Sequence, residues 1–256
     1  MPVEKLKRKA IFLDIDGTLI GKGDKPSQYD IDQLVEARKQ GHMVFLNTGR
    51  SYAFLPESLR MADYIDGVIA GGGAHIVLHG KTIYHRTIEE DVLCKVSKLY
   101  LRLGKWCKFE GETENYIVID DGKLKPITSP DDFKTRYKGA QVTKITMEGD
   151  IGEEEREVLH PYFYIYKMPN YSEGIIRGES KTLGIKRVLD EIGIALEDTI
   201  GIGDSANDIE MIMNVGFGIA MNNAVTELKQ IAKATTDDCY HSGVGKAIRK
   251  YVLGEN

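Results

Sequence analysis

Ala10-Ile11-Phe12-Leu13-Asp14-Ile15-Asp16-Gly17-Thr18 runs from four apolar residues straight into two acids and a glycine. A short continuous apolar run is the pattern of a strand buried on both faces, as in parallel sheet. In extended chain, residues i and i+2 point to the same side. Asp14 and Asp16 would then face one crevice at the carboxyl end of the strand, where open α/β sheets bind ligands. Gly17 lets the backbone turn sharply and approach a ligand. Two adjacent anions repel, so they need a cation between them or a shared proton. A hard divalent ion with oxygen ligands, magnesium above all, meets that need.

Outward from this stretch the pattern repeats. A helix is predicted over 27–40, capped by Ser27 and stopped by Gly41. A second buried run, 43–46, ends in Asn47-Thr48-Gly49-Arg50, a helix follows around 52–61, and a third run, 67–70, enters Gly71-Gly72-Gly73. Alternating strands and helices predict an α/β fold with a doubly wound parallel sheet. The middle of the chain differs. A hairpin across Gly80 (76–79 with 81–86), a helix over 89–103 and short strands at 116–119, 141–147 and 162–167 suggest an α+β unit over 81–177. The first pattern then returns, with helices at 182–193, 207–214 and 224–234 and strands at 199–203 and 216–220. The expected organisation is a discontinuous core, 1–80 and 178–256, with a domain inserted at 81–177. A lone Asp after a strand is commonly a cap or turn former. Here a second acidic cluster, Asp204 and Asp208 in Gly203-Asp204-Ser205-Ala206-Asn207-Asp208, also follows a buried strand. If the two strands are neighbours, these acids join Asp14 in a metal site.

The 256 residues are 42% hydrophobic and 29% charged, enough to bury a sizeable core. A net charge of −5 supplies no global basic field for nucleic acid or an anionic membrane, so neither is expected as a partner. A small phosphorylated substrate would need only a local positive site. The apolar run after the basic stretch Lys5 to Lys9 is too short for an export segment, and no stretch approaches the roughly 18 apolar residues of a membrane span. Cys94, Cys107 and Cys239 lack metal-ligand spacing and read as reduced thiols, which makes a cytoplasmic location the expectation. His75, His79, His85 and His160 lack a convergent spacing and are assigned no metal. Of the aromatic residues Trp106, Tyr116, Tyr162, Phe163, Tyr164, Tyr166 and Tyr171, most are expected to pack inward.

Asp14-Ile15-Asp16-Gly17-Thr18 resembles the first motif of the haloacid dehalogenase-like (HAD) hydrolase superfamily. Asn47-Thr48-Gly49-Arg50, Lys181 in Gly178-Glu179-Ser180-Lys181-Thr182-Leu183, and Gly203-Asp204-Ser205-Ala206-Asn207-Asp208 resemble the second, third and fourth. The insertion between the second and third motifs is similar to the large type II (IIB) cap of the Cof-type branch. The resemblance implies a phosphatase in which Asp14 attacks phosphorus and Asp16 moves the protons. It implies Mg²⁺ on the Asp14 carboxylate, the Asp16 backbone carbonyl and Asp204, with Asp208 close by. Lys181 and Thr48 would stabilise charge, and Gly49, Arg50 and Asn207 would contact phosphate. Small phosphorylated metabolites, sugar phosphates foremost, would be the substrates. A phosphosugar mutase with the same intermediate, and a non-catalytic phosphometabolite sensor, are the alternatives. One departure is Gly72, where relatives often carry Asn; glycine would remove a donor and add room.

Overall fold

The computed structural model of the chain describes residues 7–21, 23 and 25–255. Lys5 and Leu6 of the basic stretch, and the outermost ends of the expected core segments, lie outside them. The apolar runs form strands as expected: β1 (Ala10–Leu13), β2 (Met43–Asn47) and β3 (Gly67–Ala70) are buried throughout. Helix α1 (Gln28–Lys39) lies between β1 and β2, and Ser27 Oγ accepts the Asp30 N–H at its start. Between β2 and β3 the helix expected over 52–61 is broken. Leu55, just before Pro56, is extended, because a proline disfavours helical backbone in the residue preceding it. What remains is one 3₁₀ turn, Tyr52–Phe54, and the single turn α2 (Glu57–Arg60).

After β3, the strands β4 (His75–Leu78) and β5 (Lys81–His85) add antiparallel to the same sheet. Lys81–His85 was expected to begin the inserted unit, but its backbone pairs with β4, so it is an edge strand of the first sheet. The chain then leaves through α3 (Glu90–Leu103) into a second sheet made of β6 (Cys107–Gly111), β7 (Asn115–Val118), β8 (Lys125–Ile127), β9 (Val142–Glu148), β10 (Phe163–Lys167) and β11 (Tyr171–Ile176), with α4 (Glu153–Leu159) between β9 and β10. Its order is β10-β11-β9-β6-β7-β8. Successive side chains of a strand alternate between faces. Cys107, Phe109, Ile145, Met147, Phe163 and Ile176 join α3 and α4 in a separate apolar cluster. Lys108, Glu110, Lys144, Thr146 and Glu173 alternate with them.

The chain returns through α5 (Lys181–Ile192), β12 (Thr199–Gly203), α6 (Ile209–Asn214), β13 (Phe217–Ala220), α7 (Thr226–Ile231), β14 (Ala234–Thr235) and α8 (Gly243–Tyr251). The helix expected over 224–234 stops early. Ala232 is extended and Lys233 N–H donates to Gly218 O, leading the chain into β14. The first sheet has the order β14-β13-β12-β1-β2-β3-β4-β5, parallel from β14 to β3. Among the described residues no helix is long and apolar enough to cross a membrane.

The two chain crossings between the sheets meet at Glu179, whose side chain is fully buried. It accepts from Tyr84 Oη at 2.6 Å, Arg86 Nη1 at 3.1 Å and Arg187 Nη1 at 2.5 Å. Two residues on, α5 lies tight against the sheet: a Cβ at Gly184 would stand 2.4 Å from Ile69 Cγ2, and Ile69 is itself fully buried. Gly184→Val is therefore expected to cost about 2–3 kcal/mol through overpacking. Its thermal midpoint should fall by about 2–4 °C for each kcal/mol; a melt at or above the wild-type midpoint would contradict this close contact.

Candidate active site

The order of the first sheet puts β1 beside β12, so the acids that follow each strand meet. Asp14 N–H donates to Ile202 O at 3.0 Å. Asp14, Asp204 and Asp208 each offer an oxygen, and these oxygens lie within 4.8 Å of one another. Lys181, the first residue of α5, enters the same point. Ser180 caps that helix, its Oγ accepting the Leu183 N–H at 3.2 Å. Lys181 Nζ stands 2.6 Å from Asp14 Oδ1, 2.6 Å from Asp208 Oδ1 and 3.2 Å from Asn207 Oδ1.

Each carboxylate is differently held. Asp208 Oδ2 accepts the backbone N–H groups of Asp204 (3.1 Å) and Ser205 (3.0 Å), so both its oxygens are engaged. Asp204 accepts from Thr18 Oγ1 at 2.7 Å and from Asn223 Nδ2 at 3.4 Å. Gly17 takes φ +82°, and a Cβ there would fall 2.3 Å from Asp204 Oδ2, so the turn needs glycine on both counts.

Charge dominates this cluster. Burial works against the Lys181 ammonium, but Asp14 and Asp208 outweigh it and hold its pKa above the ordinary lysine value. Burial pushes the Asp14 carboxyl well above the usual carboxylate range; the charge of Asp208 adds to this and Lys181 opposes it. Asp204 is pushed up to about 6, by burial foremost and against its hydrogen bond from Thr18. Two of the three carboxylates pair with the one ammonium, so full ionisation would leave an excess of two negative charges, which is what the raised pKa values of Asp14 and Asp204 resist. All the donors are hard oxygens, so the chemistry of the set is compatible with a divalent cation of the magnesium type.

Asp16 is placed otherwise than an extended chain would place it. Residues 14–17 turn, and its side chain is about half exposed and lies outside the acid cluster. Arg50 grips it, with Nε 2.7 Å from Oδ2 and Nη2 2.6 Å from Oδ1. Thr48 is buried and its Oγ1 accepts the Arg50 N–H at 3.1 Å. Asp14, Asp16, Thr48, Gly49, Arg50, Asp204 and Asn207 all line one cavity of about 760 Å³, and the second sheet supplies its opposite wall. Gly72 does not add room: a Cβ there would stand 2.9 Å from Ile175 Cδ1, so β11 fills that space.

A family model of haloacid dehalogenase-like hydrolases matches residues 11–248. The chain belongs to this family. The hydrolase is of the Cof-type branch. It is 29% identical over 252 residues to phosphoglycolate phosphatase 1 of Saccharolobus solfataricus, covering 96% of this chain and 97% of that one. It is 26% identical over 258 residues to 5-amino-6-(5-phospho-D-ribitylamino)uracil phosphatase of Bacillus subtilis, covering 98% of each. Among solved structures, a sugar phosphatase of HAD subclass IIB superposes with a TM-score of 0.81 at 27% identity, over 95% of this chain and 98% of that one.

Thr18 and Asn223, which hold Asp204, and the polar wall of the second sheet have no expected role in the sequence. Thr18 lies inside the first motif and was within reach; the wall residues come from three separated segments with no local pattern. His75 and His85 are also closer than their spacing suggested, with ring centroids 4.4 Å apart and Glu112 near both.

Lys181→Met would leave Asp14 and Asp208 buried without their cation. Breaking a buried ion pair in this way is expected to cost about 3–5 kcal/mol, read by urea denaturation. Added Mg²⁺ should recover part of the loss by binding the folded form. A variant as stable as wild type would show that the cluster does not depend on the lysine.

Proposed function

We propose that this hydrolase is a Mg²⁺-dependent phosphatase that releases phosphate from small phosphorylated metabolites, sugar phosphates foremost, through an aspartyl-phosphate on Asp14. The observation that carries the reading is the buried Asp14 carboxylate, held by Lys181 at 2.6 Å and lining a cavity walled by both sheets. In the first step an Asp14 oxygen bonds to phosphorus while the bond to the leaving oxygen breaks, and Asp16 gives that oxygen its proton. In the second, Asp16 takes a proton from the water that attacks the acyl phosphate. Arg50 grips both Asp16 oxygens, so this pair must open for either transfer. Lys181, Thr48, Asn207 and the backbone N–H of Gly49 would hold the phosphoryl oxygens, with the Arg50 guanidinium joining them when its pair with Asp16 opens. A magnesium ion held by Asp14, Asp204 and the Asp16 carbonyl, with Asp208 near, would offset the repulsion between anionic nucleophile and anionic substrate. The second sheet would act as the cap that excludes water and receives the leaving group.

Relatives named as phosphatases support hydrolysis over a mutase reaction, and the named substrates are all small phosphorylated molecules. Asp14→Asn is expected to lower kcat by about a thousandfold or more, the scale seen when a nucleophile is removed. With p-nitrophenyl phosphate, whose leaving group needs no proton, Asp16→Asn should let covalent phosphate build up, visible by intact-protein mass spectrometry after rapid mixing. Chelation of divalent cations should abolish turnover and Mg²⁺ should restore it. Unchanged activity in Asp14→Asn, or indifference to chelation, would refute the scheme.

A further inference from the structure

The face of the second sheet turned toward Asp14 is buried and yet polar. Lys108, Thr146 and Glu173 stand side by side in register across β6, β9 and β11, and Glu110 pairs with Lys144 in the next row. Lys144 is 2% exposed, and Glu110 and Glu173 are buried with it. The apolar residues that hold this sheet to its helices are on the opposite face, so the polar row is not needed for that packing. Burying ions costs desolvation that apolar side chains would avoid, which makes the row expensive as mere structure.

Its geometry shows what it offers. Lys144 Nζ lies 2.7 Å from Glu173 Oε1 and 3.9 Å from Glu110 Oε1, while Thr146 Oγ1 donates to Glu110 Oε1. Burial works against the lysine's charge, but Glu110 and Glu173 outweigh it, so it stays an ammonium. Glu173 Oε2 reaches across to Gly49, 3.1 Å from where a Cβ would stand. The row therefore begins where the loop proposed to hold phosphate ends. Two carboxylates bracket one ammonium, leaving acceptors in surplus. Hydroxyl groups can donate to those carboxylates and accept from the lysine. A carboxylate or second phosphate would meet Glu110 and Glu173 at close range in a shielded cavity.

We propose that Glu110, Lys144 and Glu173 bind the leaving group directly, and that they select a neutral polyol, a sugar or sugar alcohol carrying one phosphate, over an anionic leaving group. This assignment rests on the phosphatase reading above. Lys108 keeps the comparison open to failure. It lines the same cavity and lies 5.6 Å from the Trp106 ring centroid, where it would attract an anion, and Lys167 of β10, paired with Asp150 at 2.5 Å, lines the cavity beside it.

The test compares three substrates: a hexose 6-phosphate, phosphoglycolate as the anionic competitor, and p-nitrophenyl phosphate, which has no hydroxyl to read. Wild type should show kcat/KM at least about tenfold higher for the hexose phosphate than for phosphoglycolate. In Glu173→Gln and Lys144→Met, kcat/KM for the hexose phosphate should fall by about tenfold to a hundredfold, as when a site built to bond hydroxyls loses its partners. Turnover of p-nitrophenyl phosphate should change by less than about threefold, since a uniform-binding loss leaves the chemical step intact. A preference for phosphoglycolate, or equal losses on both reporters in variants whose circular dichroism is native, overturns the proposal. Should the variants not fold, the wild-type preference decides alone. Failure of the phosphatase reading has a separate signature, no phosphate release even from p-nitrophenyl phosphate, and it takes this assignment with it.

Discussion

One lysine held among three carboxylates governs this molecule. Lys181 can lie 2.6 Å from both Asp14 and Asp208 only if β1 and β12 are neighbours and α5 begins directly above them. The first condition is met by a sheet that reverses its direction of growth at β1. The second is met by the Ser180 cap and by the glycine that lets α5 lie against Ile69. The cluster is costly to bury and still short of positive charge. A charge cluster this costly to bury is the kind of arrangement that marks functional sites, which is the ground for the proposal that Asp14 is the reacting group.

Much of the fold was legible because its signals are local. Buried strands of a parallel sheet read as unbroken apolar runs, and Ala10–Leu13, Met43–Asn47 and Thr199–Gly203 lie where those runs end in acid or amide. The errors fell where a neighbour in space overrode the local pattern. Lys81–His85 has an exposed strand's sequence and says nothing about which sheet it joins; the β4 backbone decides that. The 52–61 helix is a different case, broken by Pro56 within the expected span itself.

The acid cluster was legible for a similar reason, since Asp14 and Asp204 each directly follow a strand and Asp208 lies in the turn just beyond Asp204. The stance of Asp16 was not. An extended segment would have aimed it beside Asp14, but the chain turns at once and Arg50, 34 residues away, takes hold of it. The polar wall opposite was hidden altogether. Glu110, Lys144 and Glu173 are ordinary charged residues in three separate strands until β6, β9 and β11 are laid in register.

The alternation in those three strands bears on how such enzymes diverge. One set of positions builds the apolar layer under α3 and α4, and the interleaved set lines the cavity. A substitution in the second set leaves the first untouched, so the lining can drift while the scaffold stands still. Percent identity averages over both sets and weights the scaffold by its sheer number of residues. Two proteins of this build can therefore share a quarter of their residues and nearly all of their backbone, yet keep different chemical company, the difference residing in a handful of alternate positions that a global score scarcely registers.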